Sequence, residues 1–238
     1  MIDGQKVTAL LPMKAHSARV TSKNFRTIAG KPLFRWILDT LLATDTIDQV
    51  VINTDARTLL SENGLNDGDA EGRVVIRDRR EEICGDFVSM NLVLADDVAN
   101  VPSDIYVMTH TTNPLLRSET IDKMVGRYVR SISDGDADSL FTVNRHQTRF
   151  YTPSGEPINH DPNNLVRTQD LPPYLEENSV FYAFSKESFA LTNARIGQHP
   201  EMFETPQLES VDIDEPADWF MAESLLMRVA AGEELPKS

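Results

Sequence analysis

The chain has 238 residues, of which 40% are hydrophobic and 25% charged, a composition that suits a globular protein with one substantial core. Its formal net charge of -14 argues against long-range attraction to a nucleic-acid backbone, which needs a basic surface, and it would also repel a nucleoside triphosphate. A triphosphate site in this chain would therefore depend on a local cluster of basic residues or on a metal ion.

Short apolar runs of strand length alternate with stretches of helical periodicity along most of the chain. In chain order, the pattern predicts a strand at 7–11, a helix at 33–41, strands at 50–52 and 74–76, a helix at 87–98, a strand at 105–108, a helix at 121–129, strands at 140–143 and 180–184, and a helix at 216–230. Such alternation is typical of an α/β protein with a mostly parallel sheet and helices on both faces. Ligands bind to these sheets beyond the carboxyl ends of the strands, so we expect the site in the loops that follow Leu11, Ile52, Ile76 and Met108.

Residues 145–178 interrupt this rhythm, because they are polar, contain prolines and show little periodicity. A segment of this length without regular structure is uncommon inside a compact domain unless it has a function. We therefore predict a single domain of residues 1–238 in which residues 145–178 form an inserted arm.

The single cysteine and the lack of targeting signals bear on the cellular compartment. Cys84 is the only cysteine, which excludes an internal disulfide and a cysteine-based zinc site. No apolar run has the length of a membrane span, and residues 1–6 lack the pattern of a signal peptide. We expect a cytoplasmic protein without membrane contact.

The loop after the first predicted strand concentrates basic and hydrogen-bonding side chains in an acidic protein. Residues 12–24 carry these groups, namely Lys14, Ser17, Arg19, Lys23 and Asn24. Phosphate oxygens need such donors, because each oxygen accepts several hydrogen bonds and the charge has to be offset. The pattern is also open to a second interpretation, a solvated basic loop at the surface.

Two carboxylates precede the last predicted helix. Asp212 and Asp214 alternate along an extended segment, which places both side chains on the same side of it. Such a pair can hold a hard divalent cation, and Mg²⁺ commonly takes one or two carboxylates together with substrate phosphates. The alternative is that Asp214 caps the helix that begins near Pro216.

The chain resembles the acylneuraminate cytidylyltransferase family at three places, in the order in which the family has them. The family's signature P-A-R-G-G-S-K-R-I-P-x-K-N, followed by A-G-K-P-L, is matched at Pro12, Ser17, Arg19, Lys23, Asn24 and residues 29–33. Residues 167–174 resemble R-x-Q-D-L-P-P-x-Y, and residues 210–219 resemble S-x-D-I-D-x-x-x-D-W. The resemblance extends from Thr8 to about Leu226 and implies a Rossmann-like nucleotidyltransferase fold of the GT-A type.

The resemblance also implies a role for each matched residue. The loop would wrap the phosphates of CTP with Lys14, Ser17, Arg19, Lys23 and Asn24, and Arg79 would face the cytosine. The acidic nine-carbon sugar would contact His110, Arg167, Gln169 and Asn178. Mg²⁺ would be held by Asp212 and Asp214, the catalytic residues would be Lys14, Arg19, Lys23 and Asp212, and the arm would form a homodimer.

Several positions depart from the family pattern or allow a simpler interpretation. Lys14 stands where the family has an arginine, and residues 15–16 replace two glycines, so the loop's close approach to phosphate could differ. His110 stands in place of a glutamine. Arg79 lies within the charged run 77–82 and is equally well interpreted as a surface arginine. Residues 167–174 have a less favoured alternative, a proline-rich turn whose arginine stabilises the loop.

The reaction implied by the resemblance is attack of the sugar's anomeric hydroxyl on the α-phosphate of CTP, with pyrophosphate as the leaving group. Such a transfer needs mainly positioning and charge stabilisation from the protein. Two alternatives stay open at this point. One is another sugar nucleotidyltransferase of the same fold, such as a 3-deoxy-octulosonate cytidylyltransferase, and the other is a non-catalytic relative that binds a nucleotide.

Overall fold

The computed structural model describes residues 1–16, 20 and 22–236. Its elements follow in chain order as β1 (Val7–Leu10), β2 (Thr27–Ile28), β3 (Lys31–Pro32), α1 (Leu33–Ala43), β4 (Gln49–Thr54), α2 (Arg57–Glu62), β5 (Val74–Asp78), α3 (Met90–Asn100), β6 (Ile105–Met108), α4 (Ser118–Asp134), β7 (Ser139–His146), β8 (Tyr174–Phe184), α5 (Lys186–Thr192), β9 (Pro200–Glu204) and α6 (Pro216–Ala230). None of the helices in these described ranges has the length and apolar character needed to cross a bilayer.

Seven of the strands form one sheet in the order β5-β4-β1-β6-β8-β7-β9. β1 pairs in parallel with β4 and β6, β4 pairs in parallel with β5, and β9 pairs in parallel with β7. β8 is antiparallel to both β6 and β7, so it runs against the other strands of this sheet. The predicted mostly parallel sheet is confirmed.

The helices cover both faces of the sheet, as predicted. On one face, Ile37 of α1 and Val125 of α4 belong to the largest buried apolar cluster. On the other face, Leu94 of α3 and Phe189 of α5 pack into a second cluster. α1 and α4 both bury apolar side chains that recur at helical spacing, which is why the sequence predicts these two helices clearly.

The structure differs from the sequence-based expectation at a few elements. α3 begins at Met90 rather than at Phe87, because the side chain of Ser89 accepts a hydrogen bond from the backbone N–H of Asn91 and caps the helix there. Phe87 lies before the helix and is fully exposed. The short elements α2, α5, β9 and the β2–β3 pair were not predicted, since α2 buries a single residue, Leu60, and the edge strand β9 has no buried residue.

The arm predicted at residues 145–178 begins as a hairpin that continues the sheet. β7 and β8 stay paired from Val143 with Glu177 to His146 with Tyr174, and residues 147–173 connect the two strand ends. This connection contains one isolated bridge and a single 3-10 turn at Thr168–Asp170. Its exposed apolar side chains are Tyr151, Ile158, Leu165 and Val166.

Candidate active site

A cavity of about 520 Å³ opens beyond the carboxyl ends of β1, β5 and β6. This is where ligands of such sheets bind. It is lined by seven residues that the sequence predicted for the site, namely Lys14, Lys23, Asn24, Arg79, His110, Asp212 and Asp214. Ser17 and Arg19, also predicted for the phosphate site, lie outside the described residues.

Asn24 and Asp55 hold the basic loop against the body of the protein. The carboxamide of Asn24 donates to the backbone carbonyl of Lys14 over 2.9 Å and accepts from the Thr111 hydroxyl over 2.6 Å. The carboxylate of Asp55 accepts from the backbone N–H of Ala15 over 2.7 Å. Asn24 is buried, so in this structure it fixes the loop as well as lining the cavity.

The two described lysines of the loop are held in different ways. The ammonium of Lys14 pairs with the carboxylate of Asp86 across the cavity, and both side chains are exposed. This hydrogen bond lowers the pKa of Asp86 below its usual range. Lys23 is buried; its ammonium donates to the backbone carbonyl of Ile213 over 2.5 Å and lies 3.4 Å from the Asp214 carboxylate. Lys23 therefore joins the basic loop to the acidic segment 212–214.

Asp212 carries a buried carboxylate oxygen, Oδ1, that has no hydrogen-bond partner. Burial raises the pKa of Asp212, a hydrogen bond with Thr112 opposes this, and the negative charge of Asp214 raises the pKa further, so the net shift is upward. Mg²⁺ prefers oxygen ligands, and a cation there would offset the cost of burying the Asp212 carboxylate and its repulsion from the Asp214 carboxylate. In the described part of the chain no group of three or more His, Cys, Asp or Glu side chains is arranged to hold a metal, so a cation at this pair would take its other ligands from phosphates and water.

Glu215, rather than Asp214, occupies the N-cap position of α6, which begins at Pro216. The carboxylate of Asp218 accepts from the backbone N–H groups of Asp214 and Glu215, over 3.0 and 2.7 Å. The helix start is therefore served by other side chains, which removes the simpler explanation for Asp214.

Arg79 follows β5, is half-buried and lies in the wall of the cavity, which favours a place in the site over the interpretation as a surface arginine. Its Nε donates to Asn53 Oδ1 over 3.0 Å. Its Nη2 donates to the backbone carbonyls of Met13 and Asn53, over 3.1 and 2.8 Å. Burial lowers the pKa of Arg79 from its usual value, and the contacts fix its guanidinium at the ends of two strands.

His110 lines the cavity. It follows β6, which lies on the other side of β1 from β5, the strand that Arg79 follows. Burial lowers the pKa of His110 to about 4, and the positive charge of Arg195 contributes in the same direction. The imidazole is therefore neutral at pH 7 and offers one donor and one acceptor.

Arg195 is a residue near the site that the sequence did not indicate. Its guanidinium lies 3.8 Å from the centre of the Tyr182 ring and 3.5 Å from the carboxylate of Glu177. Its side chain is only 18% exposed. A lone arginine in the short connection between α5 and β9 gives no signal in a single sequence.

Three residues predicted to contact the sugar do not line the cavity of this chain. Arg167 is exposed on the arm and pairs with Asp170 through two hydrogen bonds of 2.7 and 2.9 Å. Gln169 lies beside it on the arm and is exposed. Asn178 is buried at the base of the arm, where its amide donates to Asn144 and Thr205. Among the described residues, the structure brings together the predicted nucleotide residues Lys14, Lys23, Asn24 and Arg79 with the predicted metal residues Asp212 and Asp214. The sugar-binding role of Arg167, Gln169 and Asn178 stays a prediction.

Comparisons with known proteins agree over almost the whole chain. A family model described as Cytidylyltransferase matches residues 8–228. The CMP-N,N'-diacetyllegionaminic acid synthase of Legionella pneumophila is 25% identical over 93% of this chain and 96% of its own length. The N-acylneuraminate cytidylyltransferase B of Danio rerio is 28% identical over 92% of this chain, which spans about half (51%) of that relative. Among solved structures, CMP:2-keto-3-deoxy-manno-octonic acid synthetase complexed with CTP shares the fold, with a TM-score of 0.64, 16% identity, and coverage of 94% of this chain and 99% of the other.

Proposed function

The chain belongs to the cytidylyltransferase family, and we propose that it transfers CMP from CTP to the anomeric hydroxyl of an acidic nonulosonic sugar, with release of pyrophosphate. The observation that carries this proposal is the cavity in which Lys14, Lys23 and Arg79 face Asp212 and Asp214. The two relatives named above act, by their names, on legionaminic and acylneuraminic acids, which are sugars of this class.

The basic loop would receive the triphosphate. Lys23 is held in place by its contacts with Ile213 and Asp214, so its positive charge is fixed before the ligand arrives. Lys14 is exposed and paired with Asp86, and a phosphate would compete with that carboxylate for its ammonium. Local positive charge of this kind offsets the repulsion expected from a chain with a net charge of -14.

Asp212 and Asp214 would hold Mg²⁺, because they offer two carboxylates and one buried oxygen without a partner. When bound there, Mg²⁺ would polarise the α-phosphate and lower the pKa of the attacking hydroxyl. Lys23, through its contacts with Ile213 and Asp214, would hold this acidic segment in place whether or not the cation is bound.

Arg79 would bind the cytosine of CTP, and His110 would bind the sugar. The ring acceptors O2 and N3 of cytosine suit the donors of a guanidinium, and the contacts of Arg79 with Asn53 and Met13 keep that guanidinium in the wall of the cavity. Neutral His110 can exchange hydrogen bonds with a sugar hydroxyl.

The arm would form a homodimer and bring Arg167 and Gln169 to the sugar site of a second subunit. Its exposed apolar side chains, and the position of Arg167 outside the cavity of its own chain, support this arrangement. Deletion of residues 147–162 should give a folded monomer that binds CTP normally and the sugar weakly. Light scattering is the first check, and a fully active wild-type monomer at micromolar concentration would contradict the dimer.

A second candidate is activation of a 3-deoxy-octulosonic acid, which the fold shared with the CTP-bound synthetase favours. Pyrophosphate release tests both candidates at once. The purified chain, CTP and Mg²⁺ would be incubated with a panel of nonulosonic acids and with the eight-carbon acid. We expect release with a nonulosonic acid and preference for CTP over UTP, ATP and GTP. Release only with the eight-carbon acid would establish the second candidate, and equal rates with purine triphosphates would contradict the cytidylyl assignment.

A further inference from the structure

We propose that Asn53 is a positioning residue for nucleotide recognition: its carboxamide fixes the guanidinium of Arg79 in the cavity, and the buried carboxylate of Asp97 sets the orientation of that carboxamide. The inference rests on the proposed function in one respect, that Arg79 faces the nucleobase. It adds two residues that do not line the cavity, Asn53 and Asp97, and the Asn53 side chain contacts the cavity lining through Arg79.

Asn53 connects a cation on one side with carboxylates on the other. It is fully buried near the end of β4. Its Oδ1 accepts from Arg79 Nε over 3.0 Å, and its backbone carbonyl accepts from Arg79 Nη2 over 2.8 Å. Its Nδ2 donates to Asp97 Oδ1 over 2.8 Å and lies 3.4 Å from Asp96 Oδ2. Asn53 is therefore the direct link between Arg79 and the acidic pair.

The two ends of a carboxamide are not interchangeable in this position. A carboxylate only accepts hydrogen bonds, so Asp97 requires the NH₂ group of Asn53 on its side. The oxygen of Asn53 then faces Arg79, which only donates. The reversed orientation would place N–H groups against the guanidinium and an oxygen against Asp97. The acid thus determines which atom Arg79 meets.

Asp97 is itself held in place by charge. It has no exposed surface, and Arg77 contacts both Asp97 and Asp96, the latter over 2.9 Å. Arg80 pairs with Asp96 over 3.0 Å from the exposed side. Buried ion pairs are weak evidence for stability, since desolvation offsets much of their attraction. We infer that these ion pairs serve to orient Asn53, because hydrogen bonds connect Asp97 on α3 through Asn53 to Arg79 in the cavity wall.

The consequence for nucleotide binding is specific. Arg79 would contact the base and not the reacting phosphate, so loss of its support should weaken CTP affinity and raise KM while kcat changes little. One charge-assisted hydrogen bond corresponds to about a tenfold change in affinity. A merely structural Asn53 would lower the melting temperature without this split.

The test is calorimetric titration of the full chain with CTP, which needs no sugar and no turnover. The variants are Asn53→Ala, Asp97→Asn, Arg79→Ala and the double variant Asn53→Ala/Arg79→Ala. Arg80→Ala is the matched control, because it removes an exposed partner of Asp96 and leaves the contacts between Asn53 and Arg79 intact.

We expect about tenfold weaker CTP binding for Asn53→Ala, several-fold weaker binding for Asp97→Asn, and wild-type affinity for Arg80→Ala. In the Arg79→Ala background, Asn53→Ala should cause no further loss, because its effect passes through Arg79. Wild-type affinity of Asn53→Ala, or the same fold loss in both backgrounds, would overturn the proposal. If Asn53→Ala does not fold, Asn53→Ser replaces it in the same cycle with the same criteria. A wild-type chain that does not bind CTP would instead contradict the proposed function.

Discussion

Replacing Asp212 by asparagine should have opposite effects on stability and on turnover. The side chain keeps its size and loses its charge. In the metal-free protein, Asp212 Oδ1 is buried without a partner, and burial and the charge of Asp214 raise the pKa of Asp212. A carboxyl group whose pKa is higher in the folded state than in the unfolded state makes folding less favourable as the pH rises through its folded-state pKa. Asp212→Asn should therefore stabilise the metal-free protein.

The size of each effect follows from the same geometry. Removing a charge from a carboxylate that has one buried oxygen without a hydrogen-bond partner should raise the free energy of unfolding by about 1 kcal/mol. Loss of a metal ligand should raise the reaction barrier by about 4 kcal/mol, which corresponds to roughly a thousandfold in turnover. Mg²⁺ should also stabilise the wild type against unfolding and leave the variant unaffected, because a ligand stabilises only the state that binds it.

The assay combines urea unfolding, with and without Mg²⁺, and steady-state pyrophosphate release. Glu215→Gln is the control, since it removes a neighbouring negative charge outside the cavity while keeping a polar cap on α6. Asp212→Asn with wild-type turnover and a less stable metal-free form would show that Asp212 is a structural residue and not a metal ligand.

Three further predictions concern the fold and the site. Gly197→Ala should lower the free energy of unfolding by about 2 kcal/mol in urea, because a β-carbon there would overlap the carboxylate of Asp138. Wild-type stability would show that the Asp138 side chain or the backbone at Gly197 can move away. Burial raises the pKa of Asp97 to about 6, so the contribution of Asp97 to the free energy of unfolding is most favourable at low pH and is lost as the pH rises through 6. When the pH is lowered from 7 to 5, the free energy of unfolding of the wild type should rise by about 1 kcal/mol relative to that of Asp97→Asn. A difference between the two proteins that does not change with pH would contradict this. Asp86→Asn should tighten CTP binding several-fold in titrations by freeing Lys14, whereas Lys14→Met should weaken it by about tenfold, and two changes of the same sign would exclude competition for Lys14.

The layered architecture could be predicted from the sequence because its signals are local. Each central strand is a short apolar run, and α4 repeats its buried side chains at helical spacing. The N-terminal end of α3 was misplaced because Phe87 fits the apolar spacing of that helix, whereas the cap at Ser89 ends the helix before it. The edge strand β9 was missed because it carries no buried run.

The residues of the site could be predicted from the sequence better than the contacts that hold them in place. Residues in motifs, such as Lys23 and Asp212, were found because their chemistry and spacing are visible along the chain. Arg195 was missed because its place beside Tyr182 depends on how the sheet brings distant segments together. The link from Asp97 through Asn53 joins residues 44 positions apart, and no local pattern marks such a contact.

Isotope labelling tests whether the sugar's own anomeric oxygen attacks the α-phosphate of CTP. The full chain would be incubated with CTP, Mg²⁺ and a nonulosonic acid carrying ¹⁸O at the anomeric hydroxyl, and the products analysed by mass spectrometry. We expect a CMP-linked sugar that retains the label, together with unlabelled pyrophosphate. A CMP-linked sugar without the label, or no CMP-linked sugar with any member of the class, would contradict this expectation.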